Sequence, residues 1–183
     1  MPAVKPSAVK LSDAQTSTAK AKEANLAQYL IFALLVYLSW RWPGSLAGAV
    51  LSIFASVYLA NIGFASKLSY KNSYFAGCLV NLLGFTWLAT TVSVFGGFPA
   101  WLGWIIFFLF VVVSALQFSV FAFLYNRLPR PLGVFRLALA WLVAEFLFPR
   151  IFPWELSTPL VAIPIFTQIA DIGGSYFVTF ILL

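Results

Sequence analysis

Residues 140–156 read AWLVAEFLFPRIFPWEL, and this stretch decides the fold class. An apolar segment with helix-forming composition carries one carboxylate, Glu145, then meets a proline-broken piece holding Arg150 and a Phe152-Pro153-Trp154 corner. Proline stops a helix by removing a backbone donor, and tryptophan favours the water-facing edge of a bilayer. A carboxylate inside an apolar helix is costly in lipid. The stretch therefore reads as the end of a membrane helix followed by a shaped, non-helical exit at the interface.

Composition agrees. Of 183 residues 62% are hydrophobic and 9% charged, and the mean hydropathy is +0.97. A soluble domain of this length could not cover so much apolar surface, so the class is integral membrane, and the lengths of the apolar runs make it an all-α polytopic helix bundle. Histidine is absent and cysteine occurs once. This excludes His-based acid–base catalysis, Cys/His metal centres and an intramolecular disulfide. No cofactor or metal is indicated, and the basic excess of +6 is read as membrane topology rather than nucleic-acid binding.

Residues 1–25 differ from the rest. Lys5, Lys10, Lys20 and Lys22 stand among Ser, Thr, Ala and Gln without apolar periodicity, as in a disordered tail. Residues 26–183 form the membrane domain. Its apolar runs are Leu26–Trp40, Ser45–Ala65, Tyr74–Phe95, Trp101–Tyr125, Leu132–Phe148 and a last one from near Leu160 to Leu183. A helix of about 20 residues crosses about 30 Å of hydrocarbon, so five complete spans are expected. Asp171 reads either as a helix start or as part of a cavity wall. If the helix starts there, only about 18 Å of it remains, and the sixth span is expected to be truncated.

With the tail in the cytoplasm, nine basic residues (Lys5, Lys10, Lys20, Lys22, Lys67, Lys71, Arg127, Arg130 and Arg136) face inward and two, Arg41 and Arg150, face outward. This positive-inside pattern places the Gly96–Pro99 loop and the Phe152-Pro153-Trp154 corner together on the outer face, with Trp40, Trp42, Trp101, Trp104 and Trp154 as interfacial anchors. Ser45, Gly48, Ser52, Ser56, Ala60 and Gly63 form a small-residue stripe suited to close helix packing. Cys78 has no charged group within a helical turn and reads as a packing residue. Glu145 reads as lining a site or, structurally, as a partner of Arg150 or a buried neutral acid.

Four segments, in order, resemble the bacterial apolipoprotein N-acyltransferases. Trp87 followed by Ser93–Pro99 is similar to that family's third-helix tryptophan and Gly-Gly-x-Pro outer loop. Trp141–Phe146 resembles its W-x-x-x-E-[FW] helix, Phe152–Trp154 its F-P-W corner, and Ile169–Leu182 its sixth helix. Two departures stand out: the segment between Glu145 and Phe152 is shortened, and Asp171 replaces a proline. The resemblance implies a multi-pass protein of the bacterial inner membrane with a cytoplasmic N-terminus. It implies an enzyme moving an acyl chain from phospholipid to the α-amino group of a diacylglyceryl-cysteine apolipoprotein. The family does so through a thioester on a cysteine assisted by a glutamate and a lysine, all on a nitrilase-like domain. No residue here matches those three, so no catalytic residue is assigned and this part alone is expected to be inactive. Glu145, Phe152, Pro153, Trp154, Trp87 and Asp171 are the substrate-channel candidates. The alternative from residues alone is a non-enzymatic polytopic protein, a small permease or an assembly scaffold.

Overall fold

Helices begin where the sequence supplies caps. Asn25 accepts the Gln28 backbone N–H at 3.2 Å while the Gln28 side chain accepts the Asn25 N–H at 3.1 Å, a reciprocal cap that starts α1 (Leu26–Arg41). Ser45 accepts the Gly48 N–H at 3.1 Å and starts α2 (Leu46–Ala65). There follow α3 (Tyr70–Gly84), α4 (Trp87–Gly96), α5 (Ala100–Arg127), α6 (Phe135–Leu147) and α7 (Pro164–Leu182), with 3-10 turns at Arg130–Leu132 and Thr158–Ala162. This is a computed structural model describing residues 24–152 and 154–183. The tail lysines Lys5, Lys10, Lys20 and Lys22, and Pro153, lie outside the described residues. Among the described residues no strand occurs, which matches the all-α membrane class read from the apolar runs.

Three helices, α2, α5 and α7, are long and apolar enough to cross a membrane, and α3 with α4 makes a fourth if that bent pair counts as one span. The sequence suggested five complete spans and a truncated sixth, and the lengths differ from that. α1 has 16 residues and α6 has 13, about 24 and 20 Å, short of a 30 Å core on their own.

Two expectations are corrected. The run from Tyr74 to Phe95 is not one helix: it breaks at Phe85-Thr86 and turns by 55°. Phe85 leaves helical geometry at φ −121°, ψ 19°, while its N–H still reaches Asn81 and its carbonyl accepts from Leu88. The break thus leaves few orphan backbone groups and swings the Phe85 ring to 5.3 Å from Phe110. Asp171 does not start the last helix either. α7 starts at Pro164, whose fixed φ suits a first helical turn, and Asp171 lies exposed inside it. Gly174, at φ 73°, ψ 179°, kinks that helix in a conformation open to glycine.

Connections sort the bundle into two ends. At one, Asn126 of α5 bonds both the N–H and the carbonyl of Leu68 between α2 and α3, at 3.2 and 2.7 Å, and the Ser69 N–H meets the Tyr29 hydroxyl at 2.8 Å. At the other, the end of α1 meets the segment after α6. The principal core lies between, built from Tyr29, Phe32, Leu59, Phe118, Phe121, Tyr125, Leu137 and Trp141. The small stripe on α2 packs as expected, with Gly48, Ser52, Ser56 and Gly63 buried. α3 and α5 approach closely at Gly77, where a Cβ would stand 2.7 Å from the Phe118 ring.

Candidate functional site

The segment between α6 and α7 turns back into the bundle. α6 stops because Phe148 is extended (φ −78°, ψ 127°) ahead of Pro149, as a residue before proline prefers. Arg150 then ties the segment down, donating to the Trp154 carbonyl at 2.6 Å and to the Tyr176 hydroxyl of α7 at 2.9 Å. Ser52 of α2 donates to the Leu156 carbonyl at 2.7 Å. Ser157 donates to the Ser175 carbonyl at 3.2 Å and accepts from Thr179 at 2.7 Å. Trp154, Glu155, Leu156 and Ser157 are all buried.

This corrects the expected place of Trp154. Instead of anchoring at an interface it is 7% exposed, edge-on to Trp40 at 6.0 Å and stacked on Phe118 at 6.1 Å. An apolar body can go inward when flanking carbonyls find donors, and here Arg150 and Ser52 supply them. Trp42, Trp101 and Trp104 are exposed, while Trp40 is half-buried against the core.

Beside Trp154 the interior holds polar atoms without partners. Glu145 is 1% exposed and neither carboxyl oxygen makes a hydrogen bond. The indole N–H of Trp141, one turn earlier on α6, and the backbone N–H of Leu156 both face this carboxyl, neither in good hydrogen-bond geometry. Glu155 Oε2 and the Trp40 indole N–H are likewise unpartnered. The charges of Arg150 and Glu155 both bear on Glu145, yet the Arg150 hydrogen bonds go to Trp154 and Tyr176, so of the alternatives for Glu145 the structural pair with Arg150 is not formed. Buried polar groups are nearly always satisfied. Two carboxyl groups and two indole donors left open in one neighbourhood can hold a polar ligand by hydrogen bonds. They include no nucleophile. Cys78 lies away from them, packed against the smaller core of Leu88, Ala89, Phe107, Phe110 and Val111.

Phe152 and Trp87 come together. Their rings are 5.3 Å apart, and Phe152 also lies 6.0 Å from Phe85 and 5.8 Å from Phe110. The corner thus meets the start of α4, not the Gly96–Pro99 loop expected beside it, which lies about 14 Å further along that helix. Next to this contact a cleft of about 330 Å³ opens between α1 and the α3–α4 break, lined by Tyr37, Trp40, Arg41, Phe85, Trp87 and Trp154 among others. Of the sequence candidates, Trp87 and Trp154 line this cleft, Phe152 packs at its edge and Glu145 lies behind it. Asp171 stands apart on α7. Sequence reasoning missed Glu155, although any acid among only five in the chain was a signal. It also missed Phe85, which nothing marked beyond its place after Gly84.

A family model described as the apolipoprotein N-acyltransferase N-terminal domain matches residues 32–183. Two curated relatives, both named apolipoprotein N-acyltransferase 2, come from Leptospira interrogans serogroup Icterohaemorrhagiae, serovar copenhageni (strain Fiocruz L1-130) and serovar Lai (strain 56601). Each is 27% identical over 157 residues, a match covering 78% of this chain and 26% of the relative. The chain therefore spans about a quarter of the length of the curated relatives it matches. No solved structure matches it.

Proposed function

Since the chain belongs to the apolipoprotein N-acyltransferase N-terminal domain family, we propose that it is the membrane part of an enzyme that transfers an acyl chain. The donor is a membrane phospholipid, and the acceptor is the α-amino group of the diacylglyceryl-cysteine on an apolipoprotein. The protein sits in the bacterial inner membrane with its N-terminus in the cytoplasm. The observation that carries this reading is the family match along most of the chain, and the aromatic cleft supports it. The cleft is apolar enough for an acyl chain, carries Arg41 for a phosphate and lies beside unpartnered carboxyl groups. In this reading Trp87, Phe152, Pro153 and Trp154 shape the lipid path, Glu145 orients a polar part of the lipid, and Asp171 serves the outer surface of α7.

Acyl transfer through a covalent intermediate needs a nucleophile that attacks an ester and then leaves toward an amine. Cys78 is half-buried among apolar helix contacts, away from the unpartnered carboxyl groups. The reading therefore assigns the nucleophile to a part of the enzyme outside these residues, and the membrane part positions lipid for it. The test is direct. Residues 1–183, purified and offered phospholipid and a diacylglyceryl apolipoprotein, should transfer no acyl chain, while a longer form carrying the nucleophile should. Transfer by the short chain alone would sink the assignment.

A further inference from the structure

We infer that the chain carries a separate site for the phosphodiester headgroup of an anionic phospholipid, in the basic cleft at the end of the bundle opposite Trp154. The cleft measures about 730 Å³ and lies between the α2–α3 junction and the α5–α6 turn. Lys67, Arg130 and Arg136 line it together with Tyr125, and no acid among the described residues does.

Cations at such a place often only cap helix C-termini. Here the carbonyls are largely served by other groups. The Ser66 N–H and hydroxyl both go to the Ile62 carbonyl, and the Leu128 N–H goes to Leu124. Of the three cations, Arg136 alone spends a donor on a helix end, its Nε on the Tyr125 carbonyl at 2.7 Å. Its guanidinium lies 4.1 Å over the centre of the Tyr125 ring. Those two contacts fix the plane of the group and leave both terminal nitrogens without a protein partner, the fork that matches two phosphate oxygens.

Tyr125 supplies a second, independent observation. Its side chain is 2% exposed, yet its hydroxyl makes no hydrogen bond. The hydroxyl lies against Gly63, where a Cβ would come within 3.0 Å of it, and Gly63 lines the cleft. A buried hydroxyl therefore opens onto the same space as three cations, offering a donor to an anion. The rim favours a lipid over free phosphate. Phe64, Val134 and Phe135 are 55%, 56% and 54% exposed beside it, Phe64 at the end of the membrane-length helix α2 and the other two at the start of α6. Basic clefts between helices at a membrane surface recognise anionic headgroups in this way.

The inference stands apart from the acyl-transfer reading and is tested without it. The full chain in neutral detergent is offered equal amounts of phosphatidylglycerol and phosphatidylcholine, and retained lipid is read by native mass spectrometry. The wild type should keep phosphatidylglycerol preferentially. K67Q/R130Q should lower that retention by roughly 10- to 30-fold, and Tyr125→Phe, which keeps the ring beneath Arg136, by a smaller factor. K71Q/R127Q removes equal charge at the same end outside the cleft and should leave retention unchanged. Equal retention of the two lipids, or equal loss in both double variants, overturns the site. Displacement of the lipid by millimolar inorganic phosphate overturns the lipid as its ligand.

Discussion

Replacing Glu145 by leucine should stabilise the bundle, because the native carboxyl group is buried with only poorly aligned donors, the Trp141 indole and the Leu156 N–H, facing it. It is 1% exposed and neither oxygen is hydrogen-bonded. Burying a polar group in that state costs about 1–3 kcal/mol, and an ionised one more. Leucine has a similar volume and adds apolar contacts in the surrounding core, where Leu156 faces the carboxyl. The gain expected for Glu145→Leu is therefore about 1–3 kcal/mol. Glu145→Gln keeps an amide in the same place and should change stability by less than about 1 kcal/mol. Both are measured by reversible unfolding of the purified chain in mixed micelles. A loss of stability above about 1 kcal/mol for the leucine variant would mean that the carboxyl has a partner the geometry lacks, and the reasoning would fail. In a longer form competent for acyl transfer, the same variant should be slower although more stable, the trade expected where a costly group is kept for function.

Trp154→Ala should destabilise the chain by about 3–5 kcal/mol through the cavity left between Trp40 and Phe118. The same unfolding measurement checks it, and a loss below about 1 kcal/mol would return this tryptophan to the interface. Gly77→Ala should cost about 1–3 kcal/mol by overpacking, since its Cβ would meet the Phe118 ring at 2.7 Å and the Ala115 carbonyl at 2.9 Å; an unchanged midpoint would show that α3 and α5 can part freely. For topology, Phe98→Cys and Lys67→Cys in a Cys78→Ser background should be reached by a membrane-impermeant thiol reagent from opposite sides, Phe98→Cys from the periplasm. Labelling of both from one side would break the orientation.

Where sequence served and where it did not follows from what sets each feature. Helix positions for α1, α2, α5 and α6 were legible because apolar run length and polar breaks are local. The stripe on α2 was legible because packing needs small side chains at helical spacing. The α3–α4 break was not, since no proline stands in Gly84-Phe85-Thr86 and a Cβ at Gly84 would meet nothing within 4 Å. It depends on where the Phe85 ring finds company, a tertiary matter. The start of α7 was readable from Pro164 and was overlooked in favour of Asp171. Of the residues singled out in the sequence, the fold brings Trp87, Phe152 and Trp154 together but puts Trp154 in an environment other than the one expected. A tryptophan after proline beside apolar helices suggests an interface, and only the return of the 148–163 segment takes it inside.

The two irregular stretches belong together energetically. Non-helical backbone at membrane depth is tolerated where protein buries it and supplies its hydrogen bonds. The break at Phe85-Thr86 is covered by Phe152, 6.0 Å from Phe85 and 5.3 Å from Trp87. The returning segment in turn rests on Ser52, Arg150 and Thr179 for its polar groups. Each interruption helps shield the other, and the cleft lined by Trp40, Arg41 and Trp87 opens where they meet. The unpartnered carboxyl oxygens of Glu145 and Glu155 lie beside that junction. Irregular backbone and unsatisfied polar atoms at one place leave room for a polar ligand, which is the feature the proposed lipid path would use.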